Sequence, residues 1–156
     1  MYFMNLIYKK LFRPLLFRID AEHAHDLATQ LLSITESSNI TRNFIQFLST
    51  KSSSDINLFG LSFPNQIGLG AGMDKNGSFP KSFAALGFGH VEIGTITPLA
   101  QSGNPKPRLF RYPKYNALVN RMGFNNDGAD TIIKRIKQIY PKGERSVPLG
   151  INIGKG

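Results

Sequence analysis

The chain contains no cysteine and no tryptophan, and only ten of its 156 residues are acidic. Without cysteine there is no disulfide scaffold, no thiolate zinc site and no cysteine nucleophile. No stretch approaches the roughly 18 apolar residues that a transmembrane helix needs. A secretory signal requires an apolar core of about seven residues or more, and Arg13 and Arg18 break up the N-terminal segment. What remains is the profile of a cytoplasmic globular chain, long enough for one domain with a real core.

The scarcity of acids leaves a net charge of +9, with 19 Lys and Arg. Residues 1–19 carry Lys9, Lys10, Arg13 and Arg18 without an acid, and residues 101–121 carry Lys106, Arg108, Arg111, Lys114 and Arg121 without one. Cations beside apolar residues at one end suit an anionic membrane surface, whereas a cationic face suits nucleic acid; solubility alone is the plain alternative.

Phe3, Leu6, Ile7 and Leu11 recur at helical spacing, and Pro14 predicts a kink or stop near Phe12. Asp20 then reads as the N-cap of a second helix with Ala24, Leu27, Ala28, Leu31 and Leu32 on one face. A short helix over Thr41–Phe47 follows, and the polar run 50–55 reads as a linker. Beyond it the pattern changes. A hairpin is expected from Ile56, turning at Phe63–Pro64–Asn65–Gln66, and a second about Tyr115–Asn116. Strands are expected at Ile67–Ala71, Val91–Ile96 and Pro148–Ile153. Between them lie helices from near Gly77 to Gly87 and over Asp127–Tyr140, the latter with Ile132, Ile133, Ile136 and Ile139 inward. Strand and helix in alternation predict a parallel α/β sheet, and the last strand makes the chain look interrupted in mid-fold.

Three strand ends carry residues suited to a ligand. Gly68–Lys75 (GLGAGMDK) lets backbone approach a planar ligand, because no Cβ intervenes at its glycines, although a tight turn accounts for the glycines equally well. It is neither a dinucleotide fingerprint nor a Walker loop. Thr95 in Glu92–Pro98 is either a hydrogen-bond donor to a ligand carbonyl or simply a strand former. Asn120–Asn126 (NRMGFNN) offers amides matched to a ring of alternating C=O and N–H groups, while Asn126 or Asp127 would also serve as a helix N-cap. Asn152 within a core strand calls for a polar partner, and a ligand is the favoured one. His23 and His25, two apart on a helix, do not share a face, and no metal site is expected.

Together these segments resemble the N-terminal half of the class 2, quinone-dependent dihydroorotate dehydrogenases of bacterial type. The likeness runs over Phe17–His25, Ala71–Lys75, Glu92–Pro98, Gly103–Arg108, Asn120–Asn125 and Gly150–Lys155, in that order. It implies an α/β fold: a (β/α)8 TIM barrel of which roughly the first three βα units are present, preceded by a small helical domain. Residues 1–50 would form the membrane and quinone-access domain, and 51–156 the first part of an FMN-binding barrel. The activity implied is oxidation of (S)-dihydroorotate to orotate, with a membrane quinone as electron acceptor. Ala71, Gly72, Met73, Asp74, Lys75, Thr95 and Asn152 would contact FMN. Lys75, Asn120, Arg121, Met122, Gly123 and Phe124 would bind substrate, and His25 and Arg111 would lie near the quinone. Peripheral association with the cytoplasmic face of the inner membrane is implied, and no nucleic-acid partner. The family's catalytic serine lies beyond residue 156, and Gly156 stands where the family usually has Asn, so the expected chain is an inactive fragment. Another FMN barrel, such as a tRNA-dihydrouridine synthase, and a non-catalytic membrane-binding remnant are the alternatives.

Overall fold

The computed structural model describes residues 6, 8–49 and 55–155. Phe3, Ile7 and most of the expected linker lie outside the described residues. The chain divides into two compact units, residues 1–31 with 104–122, and residues 32–103 with 123–156.

In the first unit a π-helical turn, Tyr8–Phe12, gives way at Pro14 to helix α1, Arg13–Leu16. Proline sits in the first turn of α1, where its missing N–H costs no helical hydrogen bond. Helix α2, Ala21–Ser37, starts after Asp20, whose Oδ1 accepts from the N–H of Glu22 at 2.8 Å and of His23 at 3.3 Å. That is the expected cap, and it holds the Asp20 carboxyl below its ordinary pKa, with the Glu22 N–H the main cause. Within α2, Glu22 is buried, at 7% exposure. Its carboxylate receives the Arg108 backbone N–H and the Arg108 Nε, each at 3.2 Å. Lys106 approaches Asp26 to 3.6 Å.

Later in the chain the same unit holds the hairpin of Leu109–Tyr112 and Ala117–Asn120, labelled β5 and β6 below. Asn116 closes its turn with φ +48°, a left-handed conformation that Asn tolerates. Tyr115–Asn116 was the turn expected.

The second unit takes in the end of α2 from residue 32 and helix α3, Asn39–Leu48, capped by the Ser38 hydroxyl. Strands β1 (Ile56–Leu58) and β2 (Leu61–Phe63) form a hairpin with Ile56 opposite Phe63. Its turn is Phe59–Gly60, at φ +54° and +72°, and not Phe63–Gln66 as expected. Two consecutive left-handed residues make the tight turn whose twist matches the strands. Strands β3 (Gly68–Leu69), β4 (His90–Ile96) and β7 (Leu149–Ile153) form a parallel sheet in that order. Helix α4 (Pro80–Ala85) links β3 to β4, and α5 (Ala129–Ile139) lies between β4 and β7. The described residues thus form an α/β arrangement of three parallel strands, without a closed barrel.

Phe83, Val91, Ile93, Ile96, Ile132, Ile136 and Val147 form the core. On α5, Ile132 and Ile136 are buried, but Ile133 is 46% exposed, a correction to the expected apolar face. It lies about 100° round the helix from Ile132. The Glu36 carboxylate serves α4 from a distance, accepting the Ser82 N–H and hydroxyl at 2.8 Å each. The Tyr140 hydroxyl, on a side chain 1% exposed, accepts the Val147 N–H at 3.1 Å and donates to the Val147 carbonyl at 3.2 Å. It ties the end of α5 to the start of β7.

Candidate functional site

The C-terminal ends of β3, β4 and β7 come together in the second unit, and the backbone fixes them there. The Gly72 N–H donates to the Gly94 carbonyl at 2.8 Å, Gly94 N–H to the Asp74 carbonyl at 3.0 Å, and Gly154 N–H to the Ile96 carbonyl at 2.9 Å. A Cβ placed on Gly70 or Gly72 would find no heavy atom of the described residues within 4 Å. These glycines therefore face open space at the strand end, and the approach of a flat ligand to the backbone is unobstructed.

The residues of the Ala71–Lys75 segment do different things. Ala71 donates its N–H to Glu92 Oε2 at 3.4 Å. Met73 packs against the core. Asp74 is 1% exposed, with Oδ1 accepting the Ser78 N–H at 2.8 Å and Oδ2 the Phe79 N–H at 2.9 Å. Burial raises its pKa, opposed by those N–H groups and by the charge of Arg135. Its carboxyl is occupied inside the protein, so any contact it makes with a ligand is through backbone. Lys75 is half-buried and its Nζ donates to the Gly72 carbonyl.

Thr95 and Asn152, predicted from separate strands, meet directly: the Thr95 hydroxyl donates to Asn152 Oδ1 at 2.6 Å. Asn152 Nδ2 donates to Glu92 Oε1 at 3.5 Å. Glu92 was quoted in its motif but not proposed for the site. The only sequence signal for it is a charged residue in a run of strand formers.

Asn126 is buried and saturated. Its Oδ1 accepts from the N–H of Gly128 and Thr97, and its Nδ2 donates to Thr97 Oγ1 at 2.8 Å and the Phe124 carbonyl at 2.7 Å. Neither Asn126 nor Asp127 is the N-cap of α5; Gly128 holds that position at φ +81°. Asn126 instead clamps β4 to the loop before the helix, and Asp127 pairs with Arg135 at 2.7 Å. Asn125, part of the same motif but not assigned a role, has a buried Oδ1 with no partner among the described residues. A buried carbonyl oxygen of that kind is suited to a donor from a ligand or water.

Gly123 and Phe124, at φ +73° and +53°, belong to the second unit. Asn120, Arg121 and Met122 belong to the first. Asn120 Oδ1 accepts the Met122 N–H at 3.4 Å, and the Arg121 guanidinium donates to the Pro107 carbonyl at 3.1 and 3.2 Å. His25 and Arg111 also belong to the first unit. Arg111 donates to the carbonyls of Leu16 and Ile19 at 3.0 Å each, and its guanidinium lies 4.9 Å from the Phe17 ring centroid. It lines a cavity of about 350 Å³ with Phe17, Ile19, Asp20 and Tyr112. His25 is half-buried on α2. No group of three His, Cys, Asp or Glu suited to a metal occurs among the described residues.

Residues 53–156 match the family model described as dihydroorotate dehydrogenase. The chain belongs to the dihydroorotate dehydrogenase family. Among its curated relatives, the dihydroorotate dehydrogenase (quinone) of Saccharophagus degradans is 51% identical over 144 residues, 92% of this chain and 40% of its own length. That of Methylococcus capsulatus is 51% identical over 96% of this chain and 42% of its own length. Ligand-free DHODH from Eimeria tenella superposes with a TM-score of 0.70 at 40% identity, covering 88% of this chain and 38% of that one. The same enzyme in complex with ferulenol gives 0.62 at 38% identity, over 76% of this chain and 36% of that one. The chain spans about two fifths of the length of these dihydroorotate dehydrogenase relatives. Its similarity to the quinone-dependent members extends upstream of residue 53, into the helices of the first unit.

Proposed function

We propose that this chain supplies the first part of an FMN-dependent (β/α)8 barrel and the quinone-access helices of a quinone-dependent dihydroorotate dehydrogenase. The enzyme would oxidise (S)-dihydroorotate to orotate for pyrimidine synthesis and reduce a membrane quinone. The observation that carries this reading is the open, glycine-lined end of the parallel sheet, where the Thr95–Asn152 pair meets the Ala71–Lys75 segment. A flavin fits those residues: the backbone at Gly70 and Gly72 is accessible, and polar side chains stand at the neighbouring strand ends.

Bound FMN supplies the acceptor for the hydride leaving C6 of the substrate. The protein's part is binding, orientation and charge. The Lys75 ammonium places a positive charge at the strand end, which favours a ligand that gains negative charge. Asn120 to Phe124 would bind the pyrimidine, whose edge matches an amide's paired donor and acceptor. Removal of the C5 proton falls to a serine that the family resemblance puts outside residues 1–156. Electrons would leave toward a quinone near His25 and Arg111. Exposed Leu11, Phe12 and Leu15, beside Lys9, Lys10 and Arg13, suit peripheral docking on the anionic cytoplasmic face of the inner membrane.

Titration of the chain with FMN, followed by flavin fluorescence, tests the cofactor reading. Saturable quenching that is lost in Gly70→Val, which fills the open space at a position without a left-handed backbone, is expected. No quenching with the wild-type chain would sink it. Flotation with anionic vesicles, lost on deleting residues 1–18, tests the membrane reading separately.

A further inference from the structure

Glu92 faces two groups, one on each neighbouring strand side, from the middle strand of the sheet. Oε2 lies 3.4 Å from the Ala71 N–H on the β3 side, and Oε1 lies 3.5 Å from Asn152 Nδ2 on β7. Both contacts are long, as polar contacts in ligand-free sites often are. Space for the side chain comes from Gly150, its partner in the β4–β7 register, where an added Cβ would meet Glu92 Cγ at 3.3 Å.

Thr95 is held as firmly. An added Cβ on Gly154 would lie 2.6 Å from the Thr95 methyl, so that methyl occupies the place a side chain would take. With the methyl seated there, the hydroxyl is directed at Asn152 Oδ1, 2.6 Å away.

The direction of these hydrogen bonds follows from their chemistry. A carboxylate only accepts, so Asn152 must turn its NH2 toward Glu92 and its carbonyl oxygen toward Thr95. A hydroxyl has one proton. Thr95 spends it on Asn152, and only its lone pairs are left for anything else. Of the two readings the sequence left open for Thr95, ligand donor or plain strand former, neither describes a hydroxyl whose proton is already committed to Asn152.

We propose that Glu92 is a positioning residue that fixes the Asn152 carboxamide and, through it, makes Thr95 a hydrogen-bond acceptor toward an N–H-bearing ligand. This rests on the flavin-site reading for the identity of the ligand, but not for the chain of hydrogen bonds itself. Glutamine at position 92 cannot replace the carboxylate, because only one of its two terminal atoms accepts. It must abandon either the Ala71 N–H or the Asn152 amide.

The test has two arms. In the first, the carboxamide pair of Asn152 is assigned in the 15N spectrum of the intact chain by its loss in Asn152→Asp. Both Glu92→Gln and Thr95→Val are expected to shift that pair, while Thr95→Ser leaves it near its wild-type position. A pair indifferent to Glu92→Gln and to Thr95→Val overturns the proposal, and either variant suffices if the other does not fold. In the second arm, FMN affinity is measured for Thr95→Val with and without Glu92→Gln. Loss of one acceptor is expected to weaken binding about fivefold when Glu92 is present. In the E92Q background, where Thr95 is no longer polarised, the loss shrinks toward nothing. An equal loss in both backgrounds overturns the coupling. If the wild-type chain fails to bind FMN, the flavin reading falls, and the carboxamide shifts alone decide the role of Glu92.

Discussion

The second unit buries Val91, Ile93 and Ile132 beneath its sheet, whereas the one buried residue among the described residues of the first unit is Glu22. The first unit is held by cations on acceptors: Arg108 on Glu22, Arg111 on the carbonyls of Leu16 and Ile19, Arg121 on that of Pro107. Most of its described leucines and phenylalanines are exposed. The second is held by excluded water, and its polar clamps, Glu36, Asp74 and Asn126, fasten loops around an apolar centre. A region stabilised by directional contacts keeps its apolar surface available for other partners. A region stabilised by burial can hold strand ends rigidly enough to position a ligand.

Ile93→Ala is the most damaging way to probe that contrast. It should cost about 3 kcal/mol by denaturant unfolding, and hydrogen exchange should show the loss concentrated in the second unit. Equal loss of protection in the hairpin of residues 109–120 would erase the distinction. Glu22→Gln leaves Arg108 without its carboxylate and should cost about 2 kcal/mol, seen as faster exchange in that same hairpin. Little change there would break the comparison from the other side.

Acid should separate the units by sign. Asp20 has a depressed pKa, so its contribution is present above 3.8, the ordinary value, and is lost as pH falls through the lower folded value. Asp74 has a raised pKa, so its contribution is full below 3.8 and is lost as pH rises through the higher folded value. Carboxyl 13C titration should find Asp20 ionising first and Asp74 later; the reverse order would refute both assignments. The smallest effect is expected from Gly60→Ala. No atom of the described residues lies within 4 Å of the added methyl, so the left-handed backbone is what resists it, at about 1 kcal/mol by thermal unfolding.

Where local chemistry determined structure, the sequence was legible. Asp20 caps its helix, Asn116 turns its hairpin, and the three parallel strands lie at the expected segments. Misreadings arose where a residue acted against type or at a distance. Phenylalanine seldom adopts positive φ, so Phe59 gave no turn signal beside the stronger one of Pro64 and Asn65. Asn126 has the chemistry of a helix cap but is used by Thr97, just past the end of β4. The same holds for the Glu36 cap on α4, 46 residues away, which no local pattern announces. In the candidate site, Thr95 and Asn152 were legible as polar residues on core strands. That they bond to each other, and that Glu92 completes the group, follows only from strand register.

The Tyr140 hydroxyl, held by both backbone groups of Val147, has a practical consequence for engineering. It closes the path from α5 to β7 at its base, so the intervening residues 142–144 are exposed and a side chain on Gly143 would meet nothing within 4 Å. Lengthening a loop whose ends are already pinned costs little, because closure entropy grows only with the logarithm of loop length. An epitope or fluorophore-binding peptide spliced in beside Gly143 would therefore report on the chain from outside, with the sheet and its glycine-lined strand ends left as they are.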